Sequence, residues 1–205
     1  EPNSVSVWLA FSTAQTDVQL FIWESASVKK PTIDAASKSV KNETPSYKSA
    51  KTPTERMGQN LHIAVLTMEV TGTTPPLKPD MVYSYNVAFP DGTRDLSTEG
   101  LLNQKMIAGT TIAEQLPLGY ADGFLPSFVL PAKEIKDLIL AHGSCRKIHG
   151  RGNDALPHLD QLIEKERNNP AKRPQQLHLT GDQIYADEVP YWALFHTNGL
   201  GKDLF

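Results

Sequence analysis

The stretch Leu177-His-Leu-Thr-Gly-Asp-Gln-Ile-Tyr-Ala-Asp-Glu-Val189 decides how the second half of this 205-residue chain is read. A short apolar run from Gln176 to Thr180 ends at Gly181, and Asp182, Tyr185 and Asp187 follow within six positions. A short run bounded by glycine reads as a strand of a buried parallel sheet, so the polar residues fall just beyond its carboxyl end. A matching unit lies upstream. Asp137-Leu-Ile-Leu-Ala-His142 is a second apolar run, expected to be buried on both faces, and Gly143-Ser-Cys-Arg-Lys-Ile-His-Gly-Arg-Gly-Asn153 follows it as a glycine-punctuated loop. Asp154 reads as a helix N-cap with Pro157 at the third helical position. Leu156, Leu159, Leu162 and Ile163 form one apolar stripe before Asn169-Pro170 stops the helix. Strand, helix, strand predicts a βαβ unit with parallel strands and a right-handed crossover. A further helix is expected after it, capped by Asp187, with Pro190 early and Val189, Trp192, Ala193 and His196 on one side.

Ligands of open parallel sheets bind beyond the carboxyl ends of the strands. Cys145 lies just past the first strand and Asp182 just past the second, so parallel pairing brings their loops to one edge. A thiolate, a phenolate and two carboxylates sharing a partly dry site need compensating cations, because unpaired burial costs several kcal/mol per ion. A metal ion meets that need. Blander roles exist for each residue: Asp182 satisfying loop amides, Asp187 serving only as an N-cap, Tyr185 packing as a core aromatic. His142 and His149 flank Cys145 and could support it, whereas His62, His158 and His178 read as packing or surface residues.

The first half has a different period. Val5 to Phe11, Val18 to Trp23, Leu61 to Val70 and Met81 to Phe89 show the alternation and β-branched or aromatic bias of half-buried strands. Lys29 to Asn60, rich in Ser, Thr, Pro and Lys, reads as a long exposed loop whose Lys29, Lys30, Lys38, Lys41, Lys48 and Lys51 form a solvated face. Pro79-Asp80 supplies turn chemistry before an aromatic strand, and Leu101 to Pro131 reads as connecting loop. The expected fold is an α+β chain of two domains. Residues 1–130 form an antiparallel β-sandwich of immunoglobulin or fibronectin type, and 131–205 begin an α/β domain.

Composition narrows the partners. With 40% hydrophobic and 21% charged residues, the chain falls in the ordinary soluble globular class. Twenty basic against 23 acidic residues, net charge −3, indicate neither a nucleic-acid footprint nor a membrane-hugging surface. No apolar run approaches the roughly 20 residues of a membrane span. Glu1, with no basic-then-apolar leader, reads as the start of a processed or trimmed chain. Cys145 is the one cysteine, leaving it a packing group, a ligand or a nucleophile.

The segments SFVLP (127–131), LILAHGSCRKIHGRGNDALPHLDQLI (138–163) and RPQQLHLTGDQIYADEV (173–189) resemble the PhoD-like alkaline phosphatases, a branch of the metallophosphoesterases. The resemblance runs across nearly the whole chain, since that family opens with a β-sandwich bearing an LKPxxxYxYxV-like strand. It implies a four-layer α/β metallophosphoesterase fold and a phosphate-ester hydrolase using Fe(III) and Ca2+. Cys145 would match the thiolate ligand of iron, Asp182 the carboxylate shared between metals, Tyr185 the iron-bound phenolate and Asp187 a calcium-side carboxylate. Arg146 would help neutralise substrate phosphate or lie on the surface. The implied mechanism is in-line attack by metal-bound hydroxide without a phosphoenzyme. The family completes its site with an asparagine or histidine motif and an Asp-x-His motif further along, so the chain reads as the front half of such an enzyme. Monoester or diester choice is left open. So are oligomeric state and compartment, which is often exported or periplasmic in the family, with a cytoplasmic address open too.

Two other readings fit parts of the sequence. Cys145 to Arg151 has the Cys-x5-Arg spacing of cysteine-dependent phosphatases, in which the cysteine attacks and the arginine clamps the oxygens. Ser144 and Gly152 stand where such loops usually carry His and Ser or Thr, and the Asp182 cluster is left without a role. In the other reading, the sandwich is a noncatalytic interaction module joined to an incomplete hydrolase remnant.

Overall fold

The computed structural model describes residues 2–25, 44–111, 113–147, 150–185 and 189–205. One antiparallel sheet takes β1 (Ser4–Phe11), β5 (His62–Glu69) and β4 (Glu55–Arg56) in the order β1-β5-β4. A second takes β3 (Tyr47–Lys48), β2 (Gln19–Ser25), β6 (Val82–Ala88) and β9 (Ser127–Val129) in the order β3-β2-β6-β9. The register of β1 on β5, from Ser4 opposite Glu69 to Phe11 opposite His62, follows the alternation in both strands. His62, Ala64, Leu66 and Met68 therefore point inward. Ala64, Leu66 and Met68 share a core with Leu20 and Ile22 of β2 and Tyr83 and Val87 of β6, so that this core serves both sheets. Each fully buried aliphatic side chain there contributes about 1.5–3 kcal/mol.

Tyr83 sits at the centre of that core. Its ring stacks on Phe128 at 5.3 Å and meets Tyr47 edge-on at 6.3 Å. Its hydroxyl accepts a hydrogen bond from the Lys78 amide at 2.7 Å. The buried Leu77 and the turn after it are thereby pinned to the strand they precede.

The connecting segments carry more structure than their composition predicts. Of the expected loop Lys29 to Asn60, residues 29–43, with Lys29, Lys30, Lys38 and Lys41, lie outside the described residues. The remainder is not all exposed loop: it holds β3 and β4, and Tyr47 and Ser49 are buried. One aromatic contact and one hydroxyl account for this. Tyr47 packs on Tyr83, and the Ser49 hydroxyl accepts from the Leu20 amide at 3.0 Å while donating to the Ala50 carbonyl at 2.6 Å. Likewise, Leu101 to Pro131 contains the hairpin β7 (Lys105–Met106) and β8 (Ala113–Gln115), besides β9 on the edge of β6. Strands of two or three residues are too short to display a period.

The remaining elements are β10 (Leu140–Gly143), α1 (Leu156–Lys165), β11 (Gln176–Leu179) and α2 (Tyr191–Leu204), preceded by a 3-10 turn at Ile135–Asp137. β10 and β11 pair in parallel, Leu140 opposite Gln176 and Gly143 opposite Leu179. The expectation of a strand starting at Asp137 and buried on both faces is corrected: β10 starts at Leu140, which is 46% exposed. β11 is its single partner strand among the described residues. The N-cap of α1 is Ala155 and not Asp154 as expected, and Pro157 lies in the first turn. Asp154, one residue earlier, still serves the helix start, its Oδ1 accepting from the Leu156 amide at 3.2 Å. Leu156, Leu159 and Ile163 are half-buried, but Leu162 is exposed. α2 begins after Pro190, which precedes the helix rather than lying within it, and the expected cap Asp187 lies outside the described residues. Its Tyr191, Trp192 and Phe195 are exposed. The helix is docked through its end: Asn60 donates from its amide to Leu204 O at 3.0 Å and from Nδ2 to Asp203 O at 2.6 Å. Gly58 permits this approach, since a Cβ there would lie 2.3 Å from Leu204 O.

The chain is thus a mixed α/β fold of mostly antiparallel sheets with few helices. Among the described residues, no helix is long and apolar enough to cross a membrane. A buried cation joins the parallel pair to the antiparallel layers. Arg173, 6% exposed, donates from Nη1 to Ser127 Oγ (2.9 Å) and Arg167 O (3.2 Å), and from Nη2 to Ser127 O (2.7 Å). Burial lowers its pKa. Nearby, Tyr120 donates to Asp160 Oδ1 at 2.8 Å, and Gln175 Oε1 accepts from the amides of Ala132 (3.0 Å) and Ile139 (3.3 Å).

Arg173→Ala is expected to cost about 2–4 kcal/mol in urea denaturation, because carbonyls lose a charged donor inside the protein. Arg173→Lys should recover little of this, lacking the fork that spans Ser127 and Arg167. Burial, and at Tyr120 the hydrogen bond to Asp160 as well, push Tyr47 and Tyr120 up to about 12 from the ordinary 10. Between those values the folded state holds protons that the unfolded state has released. Stability should therefore stay level below pH 10 and fall as pH rises toward 12, with Tyr120→Phe reducing the fall in a pH series of denaturation midpoints.

Candidate functional site

The parallel ladder continues beyond the strands. The Thr180 amide donates to Gly143 O at 3.1 Å, the Cys145 amide to Gly181 O at 3.1 Å and the Arg146 amide to Asp182 O at 2.8 Å. The two loops therefore leave the sheet zipped together. Cys145 (φ 54°) and Asp182 (φ 52°) both adopt left-handed backbone. That conformation costs a side-chain-bearing residue roughly 1–2 kcal/mol, and here it is held on both loops by the cross-loop bonds.

The turns aim two side chains at each other. Cys145 Sγ lies 3.5 Å from Asp182 Oδ2, and Tyr185 Oη lies 3.4 Å from the same oxygen. Ser144 Oγ is 3.4 Å from the sulfur. The structure thus brings together three of the four residues expected to ligate metal, Cys145, Asp182 and Tyr185; Asp187 lies outside the described residues. The Tyr185 hydroxyl is pushed up to about 12, first by its hydrogen bond with Cys145, then by desolvation and the charge on Asp182. None of the ion pairs among the described residues engages Asp182.

Deprotonated, Cys145, Asp182 and Tyr185 would be three anionic donors of the kind that ferric iron takes. Here the thiol and the phenol are hydrogen-bond partners of the one carboxylate oxygen. Calcium takes about six to eight oxygens, more than these residues supply. No group of three or more His, Cys, Asp or Glu that could hold a metal occurs among the described residues; this cluster has two such residues and a phenol.

The other sequence candidates fall around this centre. Arg146 is not free on the surface: Nε donates to both oxygens of Asp154 (3.1 and 3.2 Å) and Nη2 to Oδ2 (2.6 Å). Asp154, readable at the start of α1, was not readable as the partner of Arg146, since ion pairs across a loop leave no periodic mark. His142 turns to Thr180, its Nε2 2.8 Å from Oγ1, and His149 lies outside the described residues. His178 pairs with Gln176 Oε1 at 3.2 Å, His158 stands on α1, and His62 is buried in β5. A cavity of about 570 Å³ opens beside the thiol, and its lining includes Cys145, Arg146 and Arg151 as well as Leu159, Leu177 and Leu179.

No protein-family model matches the chain, and no curated protein or solved structure is significantly similar to it.

Glycine substitution separates backbone strain from side-chain chemistry. Cys145→Gly is expected to be about 1 kcal/mol more stable than Cys145→Ala, and Asp182→Gly than Asp182→Ala, in urea denaturation. Equal stabilities within each pair would mean that the left-handed turns are absent.

Proposed function

We propose that the chain carries a metal-dependent phosphate-ester hydrolase site in which Cys145, Asp182 and Tyr185 hold a ferric ion. The supporting observation is the convergence of Sγ and Oη on Asp182 Oδ2, at 3.5 and 3.4 Å, at the carboxyl edge of the parallel pair. A bound ferric ion supplies Lewis acidity toward a phosphoryl oxygen and toward water. The chain's own residues set the terms for it. Asp182 presents a carboxylate that none of the ion pairs among the described residues neutralises, and the two left-handed turns fix thiol and carboxylate before any ligand arrives. Tyr185 and Cys145 give up protons to become ligands, so metal affinity rises with pH through the neutral range.

The likeness to PhoD-like alkaline phosphatases adds Asp187 on a calcium side of the site and the finer account of the fold. In that account residues 1–130 are an immunoglobulin- or fibronectin-like sandwich, and β10-α1-β11 is the first βαβ unit of a four-layer metallophosphoesterase domain. The Tyr83 hydroxyl reaching back to the Lys78 amide supports the first part, because immunoglobulin-type sandwiches use a tyrosine in this way at a strand corner. The parallel β10–β11 pair with its helical connection supports the second.

Iron analysis of the purified chain tests the site directly. Bound ferric iron should show a visible phenolate charge-transfer band that Tyr185→Phe removes, and Asp182→Asn should weaken iron binding at least about tenfold. Chelation should stop hydrolysis of a nitrophenyl phosphate ester. Activity that persists in chelator but vanishes in Cys145→Ser would instead establish a cysteine nucleophile.

A further inference from the structure

The cavity beside Cys145 holds an arrangement that metal ligation leaves unused. Asp154 grips Arg146 side-on, with Nε–Oδ1 3.1 Å, Nε–Oδ2 3.2 Å and Nη2–Oδ2 2.6 Å. Asp154 is itself fixed, because Oδ1 accepts from the Leu156 amide at the start of α1, at 3.2 Å. This grip takes one edge of the guanidinium. Among the described residues Nη1 makes no hydrogen bond, and Arg146 lines the cavity. A guanidinium held on one edge presents the other as two parallel N–H donors, which match two oxygens of a phosphoryl group. The pairing keeps both partners charged, raising the pKa of Arg146 and lowering that of Asp154.

The remaining lining sets the rest of the ligand. Arg151 also lines the cavity, and Asp154 is the acid among its lining residues, so the two arginines outweigh it and the lining carries net positive charge. The lining is apolar elsewhere, with Leu177 and Leu179 from β11 and Leu156 and Leu159 from α1. A lining that combines guanidinium groups with aliphatic side chains suits a molecule that is anionic at one end and apolar at the other.

We infer that this cavity binds a phosphate ester with an apolar alcohol portion, its phosphate on the free edge of Arg146 and its organic group against Leu159, Leu177 and Leu179, with Asp154 as the residue that positions Arg146. The substrate class rests on the hydrolase reading above; the binding test does not.

Calorimetric titration of the whole chain in chelator, with inorganic phosphate and with 1-naphthyl phosphate, measures the site without metal or turnover. Naphthyl phosphate should bind at least about tenfold tighter than phosphate. Arg146→Lys keeps the charge but loses the fork, and should weaken both ligands at least about fivefold. Asp154→Asn keeps an acceptor for the Leu156 amide, so its denaturation midpoint should hardly move while both affinities fall about threefold. A merely structural Asp154 would show the reverse. Leu179→Asn should abolish the preference for the naphthyl ester and leave phosphate binding intact. Equal affinity for the two ligands, no binding, or indifference to Arg146→Lys overturns the inference. A protein that binds both ligands as described but takes up no iron ends the hydrolase reading alone. One that holds iron and hydrolyses esters but binds the two ligands equally ends the cavity inference alone.

Discussion

The parallel ladder between β10 and β11 is the constraint on which the candidate site depends. Two strands separated by a helical connection are held in register from Leu140 opposite Gln176 to Gly143 opposite Leu179. The backbone bonding then runs on past Gly143 and Thr180 into both loops. Because the Cys145 amide reaches Gly181 and the Arg146 amide reaches Asp182, neither loop can relax its left-handed turn without releasing the other. A one-residue slip would turn each side chain to the opposite face of the pair and part the sulfur from the carboxylate. Geometry at the site is in this sense a property of the sheet, with the side chains as its readout.

Two exposed strands make a weak platform by themselves, and much of their rigidity comes from elsewhere. Arg173 carries a charge into the boundary with β9, and Gln175, next to the first residue of β11, binds the amides of Ala132 and Ile139 on the approach to β10. At the far end of the chain, Asn60 and the close approach over Gly58 hold the end of α2 against the turn before β5. The antiparallel layers, which have the deep core, thus lend support to the part of the molecule that carries the proposed site. Asp154 does the same locally, tying the loop after Cys145 to the first turn of α1 through one carboxylate.

Legibility in the sequence tracked the range of each interaction. β1, β2, β5 and β6 were readable because alternation over seven or eight residues is a local signal. β11 was readable as a short apolar run ended by glycine, and the parallel pairing followed from the strand, helix, strand order. The burial expected of β11 failed, however, since Leu177 and Leu179 are exposed. β3, β4, β7 and β8 were not readable, since two or three residues carry no period and their pairing is decided by partners elsewhere in the chain. The burial expected for β10 failed because an apolar run records what a strand could bury, and here its exposed Leu140 has no covering layer among the described residues. At the site, the sequence placed Cys145 and Asp182 on one edge. It was silent on their left-handed backbone, which non-glycine residues adopt under tertiary restraint, and on the pairing of Arg146 with Asp154.

The fork of Arg173 bears on how the molecule can be taken apart. The change of grammar near residue 130 invites severing the gene there, and the chain does cross that point once, as a simple strand exit. Yet a guanidinium from far downstream is sunk into the carbonyl and hydroxyl of Ser127 on the upstream side. Excising either portion would leave behind a socket without its plug, so the half with the parallel pair is no portable cassette. Grafting it onto a foreign scaffold would require transplanting the β9 edge along with it.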